Sequence, residues 1–202
     1  MEKIKAVIFD FGGVLIDWNP YYLYRKVMTN DTEIERFLQE IHFNEWNYSF
    51  DQGYPIALGV KEMCRLYPQR ADLIRIYDER WMETLGTTFD ANIDLVKKVK
   101  AAGTPIYGLT NWSNEKFELV RAMFPFFNLF ADIAVSGLEK IAKPDPRIYQ
   151  NLLNRNHLQA NDCLYIDDSE VNIRGGRALG LQTVLYQSSQ QLRQELAAHG
   201  AF

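Results

Sequence analysis

Polar residues stand at or just beyond the ends of four apolar runs in this chain. Asp10 closes Ala6-Val7-Ile8-Phe9, Thr110-Asn111 closes Ile106-Tyr107-Gly108-Leu109, and Asp167-Asp168 closes Leu164-Tyr165-Ile166. Lys143-Pro144 follows a further run at 132–135 by a short loop. In an open α/β sheet ligands bind beyond the carboxyl ends of the strands, so these groups would meet in one crevice. Three carboxylates there repel one another, and burying them uncompensated costs several kcal/mol. A divalent cation removes that repulsion, and an all-oxygen ligand set suits Mg2+. Lys143, the Thr110 hydroxyl and Asn111 are then free to hold phosphoryl oxygens, helped by backbone N–H groups of the Phe11-Gly12-Gly13 turn. An aspartate beside a metal-held phosphoryl group can attack phosphorus and form an aspartyl-phosphate. Asp10 is accordingly read as the nucleophile, and Asp10, Asp167, Asp168 and the Gly12 backbone carbonyl as the metal ligands.

The elements that must position these residues follow from the hydropathy pattern. Apolar, β-branched runs at 4–9, 105–109, 132–135, 163–166 and 182–186 read as strands. Helical patterns at 92–102, 113–123, 145–155 and 170–179 fill the gaps between the later ones, with Gly103 and Gly180 as C-terminal stops. Strands alternating with helices indicate an α/β fold, a doubly wound (Rossmann-like) parallel sheet. The interval after the first strand departs from that alternation. It contains helical stretches at 21–28, 31–42, 56–67 and 70–85 and no convincing strand. The expected organisation is a catalytic core of residues 1–16 and 87–202, with residues 17–86 inserted as a helical cap over the first strand's carboxyl end.

The 202 residues suffice for one such domain with its insertion, and 47% hydrophobic with 24% charged residues is ordinary for a globular chain. A net charge of −4 and the lack of any basic block argue against a nucleic-acid partner. Cys64 and Cys163 are far apart in sequence and outside any CxxC or Cys/His cluster, which argues against a disulfide or a thiolate metal site. No run approaches the roughly 18 apolar residues of a membrane span. The N-terminal apolar stretch is broken by Asp10 and the glycines, unlike a secretory signal. The expectation is a cytoplasmic protein, with no membrane contact, that is a monomer or a weak homo-oligomer.

Taken together, these residues resemble the four motifs of the haloacid dehalogenase-like superfamily. Asp10 resembles the first motif's nucleophile and Thr110 the second motif's hydroxyl. Lys143, within Ala142-Lys143-Pro144-Asp145-Pro146, resembles the third motif's lysine, and Asp167-Asp168 the fourth motif's acids. Within the superfamily, Asp10-Phe11-Gly12-Gly13-Val14 and the cap segment with Trp46 and Asp51-Gln52-Gly53 are most similar to the α-D-glucose-1-phosphate phosphatase-like branch. The resemblance implies Mg2+-dependent hydrolysis of a small phosphomonoester, a sugar phosphate such as glucose-1-phosphate, through a phospho-Asp10 intermediate.

Gly12 departs from that pattern. Most phosphatases of the superfamily carry an aspartate there, which protonates the leaving oxygen and later activates water. Such acid–base catalysis is worth about 10²–10⁴-fold. Asp17, at the entry to the cap, is the nearest candidate to replace it, and His42 and Trp46 are candidates for the sugar side of the pocket. Two other readings stay open. A metal-independent 2-haloacid dehalogenase also uses an aspartate nucleophile and needs no acid at position 12. A non-catalytic phosphometabolite-binding module would explain Gly12 outright.

Overall fold

The computed structural model describes residues 4–202. Five parallel strands form the central sheet: β1 (Ala6–Phe9), β4 (Ile106–Thr110), β5 (Asp132–Val135), β6 (Cys163–Asp167) and β7 (Gln182–Leu185), in the order β5-β4-β1-β6-β7. β1 is central, with Val7 facing Ile106 on one side and Leu164 on the other. Each of its residues is buried, as a strand covered on both faces requires. The chain crosses between strands through α6 (Asp90–Ala101), α7 (Asn114–Met123), the short α8 (Ser136–Glu139), α9 (Pro146–Arg155) and α10 (Glu170–Ala178), and ends in α11 (Ser189–Ala198). This is the doubly wound α/β core that the strand–helix alternation predicts. None of the helices among the described residues is long and apolar enough to cross a membrane.

Between β1 and α6 lies the helical insertion, and it differs from the sequence reading in three places. A two-stranded antiparallel sheet joins β2 (Ile16–Trp18) to β3 (Leu85–Thr88), so the insertion leaves and re-enters the core through a paired flap. Strands this short, separated by the whole insertion, carry no periodic signal of their own. Five helices stand between them: α1 (Tyr21–Tyr24), α2 (Asp31–Glu40), α3 (Phe43–Asp51), α4 (Ile56–Leu66) and α5 (Ala71–Glu79). α3 was not among the helical stretches, although Phe43, Trp46 and Phe50 recur at helical spacing and are buried. The stretch read as one helix over 70–85 is α5 followed by a 3-10 turn and β3.

The turn after β1 is fixed from beneath by its own side chain. The Phe11 ring is fully buried and packs edge-on against Phe127 and Phe130, at 5.0 and 5.1 Å between centroids, and parallel to Phe117 at 6.3 Å. The Phe11 carbonyl accepts N–H bonds from Leu15 and Ile16 at 2.8 and 2.9 Å, which curls the chain into the flap. Asn92 ties the same turn to the far edge of the sheet, donating to the Val14 carbonyl at 2.6 Å and the Tyr186 hydroxyl at 2.9 Å. Phe11 does not line the cavity at the strand ends, and its N–H is spent on Asp10 Oδ1 at 2.7 Å, so the ligand contact expected of this residue is replaced by a packing and turn-forming role. Its ring is a packing element, and Phe11→Ala is expected to lower stability by about 3–5 kcal/mol in urea unfolding.

Candidate active site

Strand geometry brings the carboxyl ends of β1, β4 and β6 together around one ammonium group. Lys143 Nζ donates to Asp10 Oδ1 at 3.0 Å, to Asp167 Oδ2 at 2.7 Å and to the Leu109 carbonyl at 2.9 Å. An ammonium has three N–H donors, so all are committed. Lys143 is 1% exposed and Asp167 is fully buried. Asp167 is further held by the Tyr165 hydroxyl, the Ser169 N–H at 2.8 Å and Asn172 Nδ2 at 3.1 Å. Burial alone would raise its pKa, but Lys143 and these donors outweigh that and hold it below the usual carboxylate value. Asp10 is pushed the other way. Burial raises it most, the attraction of Lys143 opposes, and Asp167 and Asp168 raise it further.

Carboxylate oxygens of Asp10, Asp167 and Asp168 lie within 4.8 Å of one another. Asp168 is exposed, and its carboxylate lies against the Gly13 backbone, whose φ of +73° favours glycine. The donor set is all oxygen and carries more negative charge than Lys143 neutralises. It fits Mg2+.

Above these groups is a cavity of about 270 Å³. Asp10, Gly12, Asn111 and Asp168 form its core side, Trp18 of the flap one edge, and Phe50, Asp51, Tyr77 and Trp81 of the insertion its opposite wall. An ideal Cβ at Gly12 meets nothing within 4 Å, so the position that lacks an acid is open space.

Not every residue singled out in the sequence arrives here. Thr110 is buried at the end of β4 and is not part of the cavity wall. Asn111 lines the cavity, but its amide clasps the Lys143 backbone, donating to the carbonyl at 3.0 Å and accepting the N–H at 2.8 Å. It positions the lysine. Asp17 is turned away: its carboxylate accepts the Tyr22 hydroxyl at 2.6 Å and lies across the Gly86 backbone of the flap. His42 sits in the left-handed break between α2 and α3, on a separate surface depression with Asn19 and Glu35. Trp46 is packed among Phe43, Phe50 and Tyr77 inside the insertion and does not reach the cavity. Asp51, Tyr77 and Lys116 line the cavity, yet none was read as a site residue. Asp51 belongs to the Asp51-Gln52-Gly53 segment of the insertion, but nothing in its spacing connects it to Asp10.

The buried triad makes a specific demand on stability. In EDTA, Lys143→Met strands two buried carboxylates and should cost about 3–5 kcal/mol in chemical denaturation. Adding Asp10→Asn should recover part of that loss, because one of the uncompensated charges is gone.

Comparison with known proteins agrees with this geometry. The family model described as haloacid dehalogenase-like hydrolase matches residues 4–180. A protein named sesquiterpene phosphatase astK from Aspergillus oryzae is 27% identical, over 88% of this chain and 87% of its own. A phosphorylated carbohydrates phosphatase from Thermotoga maritima is 26% identical, over 90% of this chain and 84% of its own. Among solved structures, a HAD-family enzyme from Bacteroides thetaiotaomicron, in complex with magnesium and inorganic phosphate, superposes with a TM-score of 0.70 at 21% identity, covering 91% of this chain and 94% of that one. With a family match over most of its length and the acidic, lysine-bridged strand ends just described, this chain belongs to the haloacid dehalogenase-like hydrolases.

Proposed function

We propose that this protein is a Mg2+-dependent phosphatase of small phosphomonoesters, acting through a phospho-Asp10 intermediate. The observation that carries the reading is the grouping of the Asp10, Asp167 and Asp168 carboxylates, two of them bonded to Lys143, with Asp10 and Asp168 lining the cavity. Asp10, Asp167 and Asp168 would hold the ion, with the Gly12 carbonyl beside them. When bound, the ion would offset the charge of phosphoryl oxygens and of the acids. The remaining work falls to the chain's own groups. Lys143 favours the ionised form of Asp10 against the burial that raises its pKa, and fixes the carboxylate at the end of β1. As Asp10 attacks phosphorus it loses its charge, and the Lys143 N–H that served it passes to a phosphoryl oxygen. Asn111 holds the lysine backbone still during this exchange. The insertion serves as the cap that excludes water from the intermediate.

A dehalogenase has less use for this arrangement, since a carbon–halogen bond needs no cluster of acids to hold a metal. The cavity size bears on the substrate. About 270 Å³ is just below the roughly 300–1,000 Å³ of ligand pockets, which favours a small alcohol such as a sugar over a long isoprenoid. Trp18, Phe50, Tyr77 and Trp81 would face the sugar's C–H surfaces, and Asn47 and Ser113 its hydroxyls.

The assay pairs p-nitrophenyl phosphate, glucose-1-phosphate and 2-chloropropionate with Mg2+ or EDTA. Phosphate release that requires Mg2+ and vanishes in Asp10→Asn is expected. Halide release that survives EDTA would overturn the reading in favour of dehalogenation, and inactivity on a broad panel of phosphate esters would favour a binding module.

A further inference from the structure

Gly12 leaves the site without a proton donor on β1's turn, and most of the polar side chains on the cavity wall are already engaged. The Lys116 ammonium is bound to the Asp78 carboxylate and, at 3.0 Å, to the Asp78 carbonyl. Ser113 Oγ caps α7 by accepting the Lys116 N–H at 3.3 Å. The Tyr77 hydroxyl donates to Asn47 Oδ1 at 2.5 Å, and burial pushes its pKa well above the ordinary value. Asp10 and Asp168 belong to the acidic cluster. Asp51 remains. It is half-buried, faces the cavity, and among the described residues its carboxyl has no hydrogen-bond or ion-pair partner.

The fold places Asp51 there by two contacts with the core. It is the last residue of α3, whose Tyr48 hydroxyl donates to the Lys143 carbonyl at 3.4 Å. Just beyond it, Gly53, at φ +85°, presses on the core so closely that a Cβ would meet the Gly137 carbonyl at 2.8 Å. The end of α3 is thereby seated over the loop that carries Lys143.

We propose that Asp51 is the acid that protonates the leaving oxygen, supplied from the insertion in place of the residue missing at position 12. The inference rests on the phosphatase reading above. As Asp10 Oδ bonds to phosphorus, the P–O ester bond breaks, its electron pair goes to the ester oxygen, and that oxygen takes the Asp51 proton. The products are the free alcohol, phospho-Asp10 and the Asp51 carboxylate. In the second half, the carboxylate takes a proton from water as water's oxygen bonds to phosphorus. The bond to Asp10 breaks, and phosphate leaves with both aspartates restored.

The electrostatic surroundings suit both halves. Burial raises the Asp51 carboxyl to about 7, against the opposing attraction of Lys143. Tyr48 on its own helix and Tyr77 on α5 are its other titratable neighbours, and Asp10, Asp168 and the paired Lys116 face it across the cavity. Near neutrality it is poised to give and take a proton, which is where an acid–base catalyst is most effective.

The test compares two esters in Mg2+ by rapid quench, using the full chain. p-Nitrophenolate leaves without protonation, whereas the alcohol of 2-phenylethyl phosphate does not. Asp51→Asn should lower kcat/KM on the alkyl ester by about 10²–10⁴-fold. On p-nitrophenyl phosphate it should keep a full burst of one nitrophenolate per enzyme, followed by slow turnover. Gly12→Asp in that background should restore part of the alkyl-ester activity, since the space for a side chain is open. In the unmutated protein, the ratio of alkyl to p-nitrophenyl kcat/KM should fall as pH rises through about 7, a check that needs no variant. Equal losses on both esters without a burst, no loss on either, or a flat ratio would overturn the role of Asp51 and leave the phosphatase reading intact. Failure of the unmutated protein on both esters would instead overturn the phosphatase reading itself.

Discussion

One buried ammonium holds the active end of this sheet together. Lys143 bonds to residues at the ends of three adjacent strands: Asp10 after β1, Leu109 in β4 and Asp167 closing β6. Without it, Asp10 and Asp167 would be buried carboxylates facing each other across a strand spacing, and protonation of one would be the cheapest escape. With it, the two differ in character. Asp167 accepts from Lys143, Tyr165, Ser169 and Asn172, which hold it ionised. Asp10 receives Lys143 and its neighbour's N–H from Phe11 at 2.7 Å, and keeps an edge open to the cavity. The difference between the two acids is set by their hydrogen-bond partners and burial, since the side chains are chemically identical.

Support for Lys143 extends well beyond its immediate neighbours. Asn111 grips its backbone, and Tyr165, one turn of pleat below Asp167 on the same face of β6, adds its hydroxyl to the carboxylate. Tyr149 in α9 packs edge-on against Tyr165 at 5.5 Å and donates to the Asn172 carbonyl at 2.9 Å, which steadies the helix whose Asn172 amide reaches Asp167. These are uncharged groups, so they orient the acids without altering the charge balance. The remaining negative charge is what a divalent cation would meet.

The core was legible in the sequence because parallel strands buried on both faces leave continuous apolar runs, and the polar residues that stop them mark the ligand-binding edge. Asp10, Asn111, Lys143, Asp167 and Asp168 follow from that pattern, and the structure gathers them. The insertion was far less legible. β2 and β3 are three and four residues long and find each other across the whole insertion, which no local pattern encodes. Asp17 was singled out for its nearness in sequence to Asp10, but nearness along a strand that turns into a flap carries it to the far side, against Tyr22. His42 and Trp46 were singled out by residue type, and type does not say which face of α3 meets the cavity. Asp51 lies on that helix too, at the end which the close approach of Gly53 to Gly137 draws over the core.

A proton donor carried by the insertion has a mechanical consequence. Polar ties between insertion and core are few and local: Lys116 to Asp78, Glu115 to the Ile56 N–H at 3.1 Å, and Tyr48 to the Lys143 carbonyl. Beside these are the backbone approach of Gly53 to Gly137 and aromatic contact such as Trp81 against Trp112 at 5.9 Å. Such an interface can open to admit substrate and close again without breaking a large buried network. An acid fixed on β1 would face the phosphoryl group in open and closed forms alike. An acid at the end of α3 meets the ester oxygen only when Tyr48 and Gly53 have docked. Protonation of the leaving group then becomes conditional on closure, and water is already displaced by the aromatic wall when the ester bond breaks. Moving the acid from the sheet to the insertion makes the chemistry depend on the contacts that seat the end of α3 on the core.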